Sequence, residues 1–285
     1  QTLYNPTVER ETKERLLLIY DERYLQNGIA FVEDAKLGKA VVLSSDGWAV
    51  MHAKGEFPAK QFVRGADSSG GIHKAEKLVF DADAGLLYIK FDGTDFRVQS
   101  FVDWSQIVSG KNVFVANGLW QGSRMRVYQK PEDMIDIWKQ VDRYSLEDEA
   151  IAAGSVVYDE NGRFIGFVGK DGFVELASGV QRSFADVVEK EQIEPIVHSW
   201  IGEFIDGYID PKSETLIGKI GFLISKLEAG EMSLKTGDIV LQINGRDIDA
   251  PAFARTLQNT TEPFRLTILR NKEMLEITIT VAKKS

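Results

Sequence analysis

The chain contains no cysteine. That excludes disulfide bridges, thiol catalysis and Cys-ligated zinc, and it fits an extracytoplasmic setting. Basic runs are also missing, and the net charge is −9, which argues against a nucleic-acid groove. No apolar run approaches the ~20 residues needed to span a bilayer. Histidine is scarce. His52, His73 and His198 lie far apart without ligand spacing, so neither a metal nor another cofactor is expected. The Gly-rich "ADSSGGIH" lacks the following Lys-Ser/Thr and helix start of a phosphate loop, and reads as an exposed loop.

What is present is ordinary for a folded protein. Hydrophobic residues make up 44% and charged residues 27% of 285 positions, enough for a normal core and about two domains. A chain starting at Gln is expected to have been trimmed, with a targeting segment originally upstream. Residues 5–25 predict a helix: Asn5-Pro6 supplies an N-cap and a first-turn proline, and Leu16, Leu17, Ile19, Tyr20 and Tyr24 oppose a charged side. From residue 28 the period changes. "GIAFVED", "KAVVLSSDGWAVM", "KLVFDADAGLLYIKFDG", "NVFVANG", "RMRVYQK", "GSVVYDENGRFIGFVG" and "GFVELASG" are short apolar runs punctuated by Gly, Asp and Asn. They predict an antiparallel barrel or sandwich. "SFADVVEKEQIEPIVHSWI" predicts a helix closing this part. Beyond it, three strand-like stretches surround the short helix of "DAPAFARTLQNT", with Asp249 as N-cap and Pro251 in its first turn.

Within that last part, "LKTGDIVLQINGRDI" resembles the PDZ signature, in which a Leu-x-x-Gly-Asp turn leads into a strand and an Asn-Gly turn. Asp238 is expected to cap the first turn and Gly245 to take positive φ in the second. Upstream, "SSDGWAVMHAK", "DADAGLLYIKFD", "VSGKNVFVANG", "IAAGSVVYDENGRFIGF" and "VHSWIGEFI" follow one another in the order found in the HtrA/Deg family, trypsin-like proteases carrying PDZ domains. The resemblance implies a mostly β chain: a trypsin-like double β-barrel followed by a PDZ αβ module, with a short N-terminal helix. The corresponding divisions are 1–27, 28–195 and 196–285.

Acyl transfer on this fold needs a serine nucleophile, a histidine base, a carboxylate orienting the histidine, and backbone N–H groups for the oxyanion. Counting from Gly47-Trp48, the histidine position falls on Lys54. His52 stands two residues early, about 6.6 Å away along a strand. The aspartate position is Gly85, with Asp83 two residues off, while Asp81, Asp83 and Asp92 read as turn residues. Counting back from Gly162, Ile165 and Gly166 places the nucleophile position on Ala153. Ile151 replaces the loop's first glycine, and a β-branched residue resists positive φ. The resemblance therefore implies a degenerate triad, Lys54, Gly85 and Ala153, and a pseudoprotease acting as an extracytoplasmic scaffold or adaptor. The alternative is a serine hydrolase with a Ser155–Lys54 dyad, a buried lysine serving as base.

The resemblance also implies protein or peptide ligands bound by strand addition, with the terminal carboxylate held by the loop that aligns with Trp200, Ile201, Gly202 and Glu203. Glu203 departs from the apolar residue usual there, and would repel that carboxylate if it pointed inward. HtrA-like proteins commonly trimerise, and Tyr4, Tyr20, Tyr24 and Phe31 are candidates for such a contact. Periplasm or envelope is the expected location.

Overall fold

The computed structural model describes residues 5–29, 32–53, 56–82, 84–103, 106–107, 109–117, 119–128, 134–138, 143–147, 151–193, 198–227, 233–249, 253–254, 256–257, 260 and 262–280. The chain divides into two compact units. The first comprises residues 1–129 and 142–193; the second comprises 130–141 and 194–285.

The first unit begins with helix α1 (Pro6–Lys13). Asn5 caps it, its Oδ1 accepting from the Thr7 N–H at 3.0 Å and the Val8 N–H at 3.4 Å. The helix expected over 5–25 stops at Lys13, and Leu16–Asp21 is strand β1 instead. The physical reason is the unbroken apolar run Leu16–Tyr20, almost wholly buried. A helix would turn some of those side chains to water, whereas a strand covered on both faces buries them.

Strand β1 closes a barrel with β2 (Lys36–Val42), β3 (Trp48–His52), β4 (Val63–Ala66), β5 (Ile72–Asp81) and β6 (Leu86–Phe91), in the order β1-β2-β3-β6-β5-β4. A second closed barrel is built from β7 (Asn112–Asn117), β8 (Leu119–Tyr128), β10 (Arg143–Leu146), β11 (Val156–Asp159), β12 (Phe164–Val168) and β13 (Val174–Leu176). Strand β9 (Ile135–Asp136), which lies between β8 and β10 in the chain, belongs to the second unit. Both barrels are antiparallel, which matches the all-β punctuation of the sequence and the expected double barrel.

Val50, Trp48 and Tyr88 of the first barrel share one core cluster with Val156, Tyr158, Phe164 and Phe167 of the second. Helix α2 (Ser178–Lys190) seals that cluster with Val180 and Val187. The hairpin β11–β12 turns where Asp159 Oδ1 accepts from the Asn161 and Arg163 N–H groups, both at 2.9 Å. Gly162 has φ +73° there, and a Cβ on it would come within 3.0 Å of both Val8 and Thr12 of α1. Glycine is thus required twice, for its dihedral and for the closeness of the helix.

The second unit is one antiparallel sheet in the order β21-β20-β18-β17-β14-β9. Its strands are β9 (Ile135–Asp136), β14 (Trp200–Ile205), β17 (Gly221–Leu227), β18 (Ile239–Ile243), β20 (Phe264–Arg270) and β21 (Glu273–Ile279). Strand β19 (Arg246–Asp247) pairs with β18, while β15 (Tyr208–Ile209) and β16 (Leu216–Ile217) form a separate ribbon. Phe253, Ala254, Thr256 and Leu257 are helical, and Phe253 and Leu257 point into the core with Trp200, Phe222 and Phe264. The Asn244-Gly245 turn has φ +50° and +75°, the mirror-image pair that joins two twisted strands tightly. Asp238 caps its turn as expected, Oδ2 accepting from the Lys235 N–H at 2.8 Å. Arg270 clamps the same carboxylate from β20 at 2.7 and 2.6 Å.

Candidate functional site

Two places hold the candidate residues. One lies in the first unit where the two barrels meet. Strand β3 ends on His52, which is buried and paired opposite Leu86 of β6. Gly85, just before β6, takes φ +61°, and its carbonyl accepts from the Ala53 N–H at 2.8 Å. A Cβ on Gly85 would lie 3.8 Å from His52 Nε2, ordinary van der Waals distance. From the second barrel, Glu175 brings Oε2 to 3.7 Å from the same nitrogen. His52 and Gly85 are therefore neighbours; Lys54 and Asp83 lie outside the described residues. Asp81, read in the sequence as a turn residue, is the buried last residue of β5 and accepts from the Ala84 N–H at 3.0 Å and the Ser183 hydroxyl at 3.2 Å. Asp92 accepts from the Lys74 N–H at 2.6 Å. Neither aspartate is offered to a histidine by these bonds.

The loop before β11 is a tight turn. The Ser155 N–H donates to the Ala152 carbonyl at 3.2 Å, and the Ser155 hydroxyl donates to the same oxygen at 2.6 Å. The Gly154 N–H donates to the Val168 carbonyl at 2.6 Å, with φ +78°. Ile151, in place of the loop's first glycine, has a buried side chain. Ala153 carries a methyl group where the count from Gly162 expects an attacking atom. Ser155 is buried, with its proton directed at a carbonyl rather than at a base.

The second place is the outer edge of β14 in the second unit. Trp200, Ile201, Gly202 and Glu203 all belong to that strand. Trp200 is fully buried, while Glu203 is exposed and so aims away from the core. Gly202 is buried at a bulge between Ile201 and Gly202; a Cβ there would run into the Leu223 carbonyl. On one side β14 pairs with β17. On the other it pairs antiparallel with β9, Ile201 opposite Asp136 and Gly202 opposite Ile135. This pairing was missed in the sequence, where "MIDIW" has only two alternating aliphatics to mark it.

Of the remaining histidines, His73 meets Asp67 at 3.0 Å, and His198 stacks on Trp138 with ring centroids 4.7 Å apart. Among the described residues, no three His, Cys, Asp or Glu side chains group to hold a metal ion, and no helix is long and apolar enough to cross a membrane.

Comparison with known proteins agrees with this architecture. The HtrA-type protease AlgW with a tripeptide superposes with TM-score 0.62, covering 98% of this chain and 96% of that one, at 15% identity. AlgW with a decapeptide gives 0.58 over 99% of both chains at 14% identity. The chain has the HtrA-type protease fold. The serine endoprotease from Yersinia pestis adds a TM-score of 0.53, with 98% and 97% covered and 16% identity. In sequence, the chain is 22% identical to a probable periplasmic serine endoprotease, DegP-like, from Halomonas elongata. That match covers 87% of this chain and 57% of the relative, so the chain spans little more than half the relative's length. No protein-family profile matches.

Proposed function

We propose that this HtrA-type chain is a proteolytically inactive member of the HtrA family, a double-barrel scaffold whose second unit is a PDZ-type module for recognising extended peptide segments. The observation that carries the reading is Ala153. It occupies the nucleophile position in an intact turn, and a methyl group cannot attack a carbonyl. Gly85 at the acid position adds to this, since glycine offers no carboxylate to orient an imidazole. Lys54 completes the set by sequence count. The peptide-binding part draws support from the pairing of β14 with the short extended segment β9 on its outer side and from neighbours solved with bound peptides. Work outside the cytoplasm is inferred from the relative described as periplasmic. Of the N-terminal aromatics that could serve self-association, as a trimer or otherwise, Tyr24 is exposed and Tyr20 is buried in β1, while Tyr4 and Phe31 lie outside the described residues.

The Ser155–Lys54 dyad is disfavoured by the burial of Ser155 and by its short bond to the Ala152 carbonyl. The test is a fluorescein-casein and fluorogenic-peptide assay on the full chain and on Ser155→Ala. No turnover above buffer is expected from either. Turnover by the wild-type chain that Ser155→Ala abolishes would overturn the reading.

A further inference from the structure

The outer edge of β14 is where a strand-adding ligand would lie, and a piece of this same chain already lies on it. Strand β9 comes from the connection between β8 and β10 of the second barrel, yet its residues belong to the second unit. It is covalently remote from its partner: Asp136 faces Ile201 across 65 residues of sequence. The grip is short and side-chain-led. The Ile137 N–H donates to the Trp200 carbonyl at 3.1 Å. Asp136 Oδ2 accepts from the Ser199 hydroxyl at 2.7 Å, while Oδ1 accepts from the Trp138 N–H at 3.2 Å. Ile137 is 0% and Trp138 3% exposed, whereas the preceding Met134 is 60% exposed. Trp138 stands edge-on to Trp200, ring centroids 5.2 Å apart, and stacks on His198.

Two ladder positions against a six-residue strand, two deeply seated side chains and one bonded carboxylate describe how a short linear motif is held, with main-chain bonds for affinity and pockets for alternate side chains. The segment is internal, so no terminal carboxylate is involved.

We propose that the β14 edge is a recognition site for an internal, extended segment of another protein with the pattern aliphatic–acidic–aliphatic–tryptophan, and that Ile135–Trp138 is the chain's own stand-in, keeping the site shut until displaced. The proposal rests on the reading of the second unit as a peptide-recognition module. Its consequence is competition. A ligand gains only the difference between its own fit and that of the resident segment, and its apparent affinity falls by the fraction of chains that are open.

The probe is a fluorescent peptide with the sequence of residues 132–140, acetylated and amidated, titrated into the full-length chain. Trp138→Ala, checked for folding by circular dichroism and urea unfolding, vacates the anchor pocket. It should bind the peptide at least 10-fold tighter than wild type, and a peptide with alanine for the tryptophan should bind neither. A second measurement does not depend on that variant folding. Asp136→Cys with Ile201→Cys joins a directly opposed pair, about 4.5–5.5 Å between Cα atoms, in a chain with no other thiol. Oxidation should abolish the residual peptide binding and reduction restore it. Equal binding by wild type, Trp138→Ala and the oxidised pair would overturn the self-occupancy and leave peptide recognition standing. Absence of binding by the folded Trp138→Ala and by the reduced pair would overturn the peptide-recognition reading itself. A wild-type dimer by light scattering, opening on dilution, would place a second copy on the edge and overturn closure within one chain.

Discussion

Gly202→Ala separates two roles that one glycine can play at the start of β14. If Gly202 served to bare backbone N–H groups for a ligand, alanine would weaken binding and leave the fold alone. The packing says otherwise. A Cβ at 202 meets the Leu223 carbonyl head-on and lies 3.0 Å from Phe222 Cζ, both on the neighbouring strand β17. These are backbone and core atoms, not the free end of a flexible side chain, so the strands must part. Overpacking of this kind costs about 1–3 kcal/mol. Alanine returns roughly 0.5–1 kcal/mol by restricting the unfolded chain and suiting a strand better than glycine. The net loss is about 1–2 kcal/mol, which for a unit of this size lowers its midpoint by roughly 4–16 °C. Trp138 and Trp200 lie in that unit, so their fluorescence follows its unfolding in urea. Gly218→Ala is the control, because nothing lies within 4 Å of its added methyl. Gly202→Ala as stable as wild type, with Gly218→Ala behaving identically, would refute the steric argument.

Tyr158→Phe should stabilise the first unit by about 1 kcal/mol, because the fully buried Tyr158 hydroxyl has no hydrogen-bond partner among the described residues. Burial raises the phenol well above its usual 10.0, only partly opposed by the charge of Arg15. A group whose pKa is higher when folded lends stability that is complete below its unfolded pKa and is lost as pH climbs beyond it. Wild type should therefore lose stability above about pH 10 more steeply than Tyr158→Phe, as read by urea midpoints across alkaline pH. Asp238→Ala should cost the second unit about 3 kcal/mol, since it strands the Arg270 guanidinium and the Lys235 N–H that share a carboxylate only 1% exposed. Calorimetry of the full chain checks this, and Asp238→Asn should lose less because it keeps an acceptor for the turn.

The parts of this fold that were legible in the sequence are those that depend on neighbours close in the chain. The Asn244-Gly245 turn and the Asp238 cap each use residues within four positions of one another, and short-range chemistry announces them. The N-terminal segment was misjudged for the opposite reason. Leu16–Tyr20 follows a well-capped helix and reads as its continuation. Only its partners Lys36–Val41 and Val63–Ala66 make it a strand, and they are distant in sequence. The candidate site divides in the same way. Counting along the sequence singles out Gly85 and Ala153, because position relative to the strand that follows is a local property. That Gly85 abuts His52, and that Glu175 approaches from the other barrel, follows from tertiary closure alone. Strand β9 is the extreme case. Its alternation covers only Ile135 and Ile137, too brief to stand out, and its acceptor lies 65 residues away. A segment so weakly marked for strand yet so deeply buried takes its conformation from the surface that receives it. Such dependence is what a displaceable occupant requires, because a segment with little structure of its own loses little of it on leaving.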